Sequence, residues 1–150
     1  MIYWKGVEFM NLSRNDSRML AMTVLYQIDL FKRKKIDIDV EEVIKNNLED
    51  LEYDLVFSRS LINGVINQND ELEVVANSYL NNWTINRLGI TDAAILKMAI
   101  YELLYTDTPA KVCMDEAIEL AKDFSDEKVV GMINGVLDKV YHNKLNEEGK

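Results

Sequence analysis

Leu61-Ile62-Asn63-Gly64-Val65-Ile66 and Met132-Ile133-Asn134-Gly135-Val136-Leu137 are two versions of one six-residue string, and their reading decides the fold. Asn-Gly between apolar residues is a strong signal for a tight β-hairpin. Here the flanking apolar residues instead keep helical spacing for several turns on both sides. Phe57, Leu61, Ile62, Val65 and Ile66 form one stripe; Val129, Ile133, Val136, Leu137 and Val140 form another. Both glycines are therefore read as mid-helix. A glycine there costs about 1 kcal/mol relative to alanine. That cost would be offset if a second helix crossed closely over the bare backbone, so each Asn-Gly pair is expected at a helix crossing. Gly131 and Gly135, four apart, share one face of the last helix.

A second pair of strings keeps nearly the same offset. Val24-Leu25-Tyr26-Gln27-Ile28 matches Ala99-Ile100-Tyr101-Glu102-Leu103. Two matches at a common separation suggest two copies of one helical unit, with halves at about 13–83 and 84–142. Residues 1–12 read as an N-terminal extension and a candidate for disorder, and 143–150 as a polar, frayed tail.

Between these landmarks the 3.6-residue period recurs. Ala21, Val24, Leu25, Ile28 and Phe31 mark a helix over 17–32. Asp39 is placed to cap a short helix carrying Val40, Val43, Ile44 and Leu48. Asp70 is expected to cap the next, with Leu72, Val75, Ala76, Tyr79, Leu80 and Trp83 on one side. Thr84 to Gly89 break the pattern. Thr91 is the expected cap of a helix bearing Ile95, Met98, Ala99, Ile100, Leu103 and Leu104. Pro109, after the turn Thr106-Asp107-Thr108, opens a helix expected to bury Met114, Ala117, Ile118, Ala121 and Phe124. Ser125 or Asp126 caps the last helix. The pattern as a whole predicts an all-α chain.

One Pro and six Gly in 150 residues leave few breaks, which favours helices. No apolar run is long enough to span a bilayer. The first ten residues lack a clean apolar stretch followed by a small-residue cleavage site, so no secretory signal is expected. A single cysteine, Cys113, excludes an internal disulfide and suits a cytoplasmic protein. The net charge of −9 is uneven. Residues 1–35 hold seven Lys/Arg against Glu8, Asp16 and Asp29, a balance of +4, and the remainder balances at −13. A basic end on an acidic protein can bind nucleic acid there and offer its acidic faces to a basic protein.

The chemistry-bearing residues argue against catalysis. His142, the only histidine, lies near the frayed end and reads as a solvated bystander rather than a general base. Cys113 sits between Val112 and Met114 and reads as a buried thiol. One His and one Cys cannot build a zinc cluster from those ligands, and no Gly-rich phosphate loop or Gly-x-Ser-x-Gly occurs. No cofactor and no metal are expected. Asp115-Glu116, Glu119 and Glu147-Glu148 read as helix or tail surface. Arg14 and Arg18, one helical turn apart, can clamp backbone phosphates; two solvated arginines are the plain alternative. Lys32-Arg33-Lys34-Lys35 can serve the same purpose or simply stabilise a helix C-terminus. Tyr26 and Tyr79 can stack on unpaired bases or pack in the core.

Four stretches together resemble the NusB transcription antitermination factors. They are Tyr101-Glu102-Leu103-Leu104; Pro109-Ala110-Lys111-Val112; Asp115-Glu116-Ala117-Ile118-Glu119-Leu120-Ala121-Lys122-Asp123-Phe124; and Ile133-Asn134-Gly135-Val136-Leu137-Asp138-Lys139. The match runs from about Arg14 to Lys139, and Ala21 to Tyr26 and Leu88 to Leu96 fit it as well.

The resemblance implies a NusB-like helical bundle over 13–142, with two related three-helix halves and about seven helices. It implies no enzyme activity. It implies an RNA-binding adaptor that pairs with NusE, a ribosomal small-subunit protein. Together they would bind the boxA element of ribosomal RNA transcripts and join the RNA polymerase antitermination complex. By family position, Arg14, Arg18, Tyr79 and Phe124 would contact RNA, and Asp92 would contact NusE.

Three departures from the family pattern matter. Asp16 stands where an arginine is common, Gly131-Met132 replaces a Lys-Phe pair, and Lys128 replaces an acidic residue. In the signature, Asp115 replaces the usual Asn. Two other readings follow. One is a NusB-like protein-interaction module or homodimer with weak or lost RNA binding. The other is the NusB-like domain that precedes an RNA cytosine methyltransferase, for which the chain has no room.

Overall fold

The computed structural model describes residues 13–48 and 55–148, and all regular structure among them is helical. Seven α-helices follow in order: α1 (Arg14–Arg33), α2 (Val40–Leu48), α3 (Val56–Asn67), α4 (Asn69–Tyr79), α5 (Ile90–Tyr105), α6 (Ala110–Phe124) and α7 (Glu127–Glu148). A 3-10 turn, Ile85–Arg87, precedes α5. The chain divides into two compact units, Met1–Ile62 and Asn63–Lys150, and the boundary falls inside α3. The extension at 1–12 lies outside the described residues, as do 49–54 and 149–150.

In the first unit, α1 buries Leu20, Ala21, Val24 and Leu25, α2 buries Ile44 and Leu48, and α3 buries Leu61 and Ile62. Asp39 caps α2 as its position suggests, its Oδ1 accepting the Glu41 amide at 3.0 Å. Gln27 and Asn47 exchange amide hydrogen bonds of 3.2 and 2.9 Å, joining α1 to α2. The buried Ser58 hydroxyl donates to the Ser17 carbonyl at 3.1 Å and joins α3 to α1.

In the second unit, α5 is apolar around most of its circumference and packs against α4, α6 and α7. A helix apolar on all sides belongs in an interior. Lys97, on one of its few polar positions, reaches Asn69 at 2.8 Å and Glu73 at 3.1 Å on α4. Lys144 of α7 donates to the Leu103 carbonyl at 2.9 Å, near the C-terminal end of α5.

Both Asn-Gly pairs lie inside helices, α3 and α7. Only one marks a crossing. A Cβ on Gly64 would lie 2.0 Å from Tyr101 Cζ. Among the described residues nothing comes within 4 Å of a Cβ at Gly131 or Gly135, so they form no crossing of the kind expected at Gly135. The two strings match in burial at Ile62 with Ile133 and at Val65 with Val136, whereas Leu61 is buried where Met132 is half-buried, and Leu137 is buried where Ile66 is half-buried.

Several element ends differ from the sequence reading. Asp70 does not cap α4. A single residue, Gln68, separates α3 from α4, so Asp70 falls within the first turn, where its charge complements the helix dipole. Thr91 lies inside α5, whose N-cap is Gly89, close against the Asp92 carboxylate. Trp83 lies beyond the end of α4 and is exposed. Asp126, not Ser125, caps α7 by accepting the Val129 amide at 2.9 Å. Helix α7 continues to Glu148, beyond the point where polar composition suggested fraying. No helix among the described residues is long and apolar enough to cross a membrane.

Candidate nucleic-acid interface

The basic edge of the first unit starts at the first turn of α1. Ser13 is the N-cap. Its Oγ accepts the Asp16 amide at 3.1 Å and donates to Asp16 Oδ2 at 2.7 Å. Asp16, the residue that departs from an arginine-rich pattern, thus stabilises the start of α1. An acid in that turn also opposes the positive end of the helix dipole.

One residue into the helix, Arg14 is exposed and lies over the Phe57 ring of α3, its Cζ 3.9 Å from the ring centroid. Arg18 approaches the same ring at 5.3 Å. Arg18 is only 5% exposed, so it meets α3 and the interior, not solvent. The structure therefore brings the two sequence-predicted arginines together, but at one aromatic ring and with different access. Among the described residues Arg14 has no carboxylate partner, and the edge of its guanidinium remains available to an anion.

The second basic cluster lies at the far end of α1, about 27 Å away at 1.5 Å per residue. Arg33 pairs with Asp29 at 3.2 Å, while Lys32, Lys34 and Lys35 are exposed. Lys35 closes the helix in the left-handed region with φ 58°. Its amide donates to the Lys32 carbonyl at 3.0 Å, and the Ile36 amide donates to the Phe31 carbonyl at 2.9 Å. This is the Schellman arrangement, with lysine where glycine is usual. Tyr26 is exposed on the same helix.

The other named residues belong to the second unit. Tyr79, the last residue of α4, is half-buried. Phe124 is 47% exposed, not buried as the helical stripe implied. It is the last residue of α6, beyond the stripe of Cys113, Ala117, Leu120 and Ala121 that enters the core. Asp92 is half-buried in the first turn of α5 and accepts a hydrogen bond from the Ser125 hydroxyl, the residue after Phe124. Asp92 thereby ties the start of α5 to the junction of α6 and α7 at Ser125, the residue that follows the exposed Phe124.

The remaining reactive groups are occupied elsewhere. Exposed His142 contacts the Asp138 carbonyl at 2.7 Å within its own helix, and the buried Cys113 thiol donates to the Thr108 carbonyl at 3.6 Å. No group of three or more His, Cys, Asp or Glu among the described residues could hold a metal ion. A groove of 640 Å³ lined by Asp39, Glu41, Glu42, Lys45, Asn46 and Arg59 mixes both charges, and Arg59 pairs with Glu41 at 3.5 Å.

Ser13 and Phe57 are not singled out by the sequence reading. The Ser13-x-x-Asp16 spacing is a legible capping signal. Nothing in the sequence separates Phe57 from the apolar stripe to which it also belongs.

Comparison with known proteins agrees with this fold. The family model described as the NusB family matches residues 15–142. The transcription antitermination protein NusB of Staphylococcus aureus (strain JH9) is 42% identical over 132 residues, covering 86% of this chain and 98% of that protein. The structure of T. maritima NusB superposes with a TM-score of 0.78 at 32% identity, covering 89% of this chain and 93% of that one. A chain from the crystal structure of antitermination factors NusB and NusE in complex with dsRNA gives a TM-score of 0.73 at 23% identity, covering 87% and 96%. That last likeness concerns the fold alone.

Proposed function

The chain belongs to the NusB family of transcription antitermination factors, and on that premise we propose that it binds boxA RNA of ribosomal RNA operon transcripts together with NusE. In this reading it works in the cytoplasm as a non-enzymatic adaptor that supports processive transcription by RNA polymerase. The observation that carries the proposal is the exposed, stacked Arg14 at the basic edge of an otherwise acidic chain. Phosphate contacts at such an edge position an RNA strand without reading its sequence. Arg18 contributes from beneath, as a buried positive charge beside the same ring. The exposed ring of Phe124 and the half-buried Tyr79 are suited to stacking on unpaired bases. Asp92 is the proposed contact for NusE, and an acidic surface complements a basic ribosomal protein.

The test is an electrophoretic shift with single-stranded boxA RNA, with and without NusE. The expected result is a shift that strengthens when NusE adds positive charge and weakens as salt rises. No shift at low salt in either case would instead favour a protein-interaction module or homodimer without RNA affinity. The burial of Arg18, which leaves only one of the two arginines facing solvent, is the observation on that side.

A further inference from the structure

We propose that Phe57 is a positioning residue for phosphate recognition, its ring holding the Arg14 guanidinium in a fixed orientation before RNA arrives. This rests on the reading of Arg14 as a phosphate contact.

Both sides of the stack are anchored. The Arg14 backbone sits in a first turn closed by the reciprocal Ser13 and Asp16 hydrogen bonds. The Phe57 backbone precedes Ser58, whose buried hydroxyl is bonded to the Ser17 carbonyl at 3.1 Å. The ring and the guanidinium therefore ride on two helices joined at that level. At 3.9 Å from the centroid, the guanidinium lies against the π-face, where the ring quadrupole attracts it. Arg18, at 5.3 Å and buried, packs against the same ring and limits its movement.

The chemistry of the guanidinium gives this arrangement a use. Its N–H donors lie in the plane of the group. A ring beneath one face leaves those in-plane donors unobstructed, which suits two-pronged recognition of a phosphate. A long, exposed arginine otherwise loses rotamer freedom when it binds. Holding it on Phe57 transfers that loss from the binding step to folding. A lysine at position 14 would gain less, because an ammonium is a point charge without a plane to align.

The test is a double-mutant cycle on boxA RNA affinity of the complex with NusE, using Arg14→Ala, Phe57→Leu, both together, and Phe57→Tyr, with melting curves for each. Phe57→Leu should weaken binding by about two- to fivefold, the scale of an exposed cation–π contact. Phe57→Tyr should restore it, and Phe57→Leu should add nothing once Arg14 is alanine. If Phe57→Leu weakens binding equally with or without Arg14, its role is structural and the proposal is overturned. If Arg14→Ala weakens binding and Phe57→Leu does not, Phe57 is overturned and the phosphate site stands. If Arg14→Ala leaves affinity unchanged, both fall. Should Phe57→Leu fail to fold, the wild-type protein decides: the Arg14 Nε–H proton resonance should be displaced upfield by the ring current, and an ordinary shift would exclude the stack.

Discussion

Gly64 and Gly135 occupy equivalent places in a repeated string and have opposite surroundings. The space over Gly64 is filled by the Tyr101 ring, itself stacked on Tyr105 with centroids 5.3 Å apart, whereas Gly135 faces open space. Gly64→Ala should force that ring aside and cost on the order of 1–3 kcal/mol. Gly135→Ala should stabilise α7 by up to about 1 kcal/mol, since it removes a flexible residue from a helix with no steric penalty. Urea unfolding of the two variants checks both signs, and equal effects would contradict the geometry. The rule that a helical glycine invites a close neighbour is legible in sequence, but whether a neighbour arrives depends on packing between distant segments. Lys35 makes a similar point through the backbone. With φ 58° it carries a Cβ in a region that glycine occupies without strain. Lys35→Gly should raise stability by about 1 kcal/mol, read as a shift in denaturation midpoint.

At the level of helices, what the sequence made legible was whatever a local period or a local hydrogen bond determines. The stripes of α1, α2, α3 and α7 and the Asp39 cap follow from spacing alone. The starts of α4 and α5 did not, because Gln68 and Gly89, residues without a capping side-chain bond, precede them. The exposure of Phe124 and the burial of Arg18 were equally hidden, since both depend on which helices meet there. Asp92 illustrates how an element junction bears on function, because its carboxylate, in the first turn of α5, accepts a hydrogen bond from Ser125 at the junction of α6 and α7. Asp92→Lys should slow association with NusE at low salt, and the difference from wild type should narrow as salt rises. Ser125→Ala breaks the same hydrogen bond without changing charge and should leave the association rate nearly unchanged. Stopped-flow association of both variants separates charge from structure, and an equal slowing would assign Asp92 a purely structural part.

For the whole molecule, the distribution of charge sets what can be bound and how. A chain of net charge −9 with a +4 segment at its start offers few cationic contacts to RNA. The salt dependence of binding should accordingly be shallow, with about two to four counterions released. Such contacts supply affinity without sequence preference, so Arg14→Ala should weaken boxA and unrelated single strands by similar factors. The most direct measurement is a titration of the NusE complex with boxA RNA over a series of salt concentrations, comparing wild type with Arg14→Ala. The account predicts weaker binding and a salt slope reduced by about one for the variant. Identical affinity and slope in the two proteins would contradict an RNA site at the start of α1.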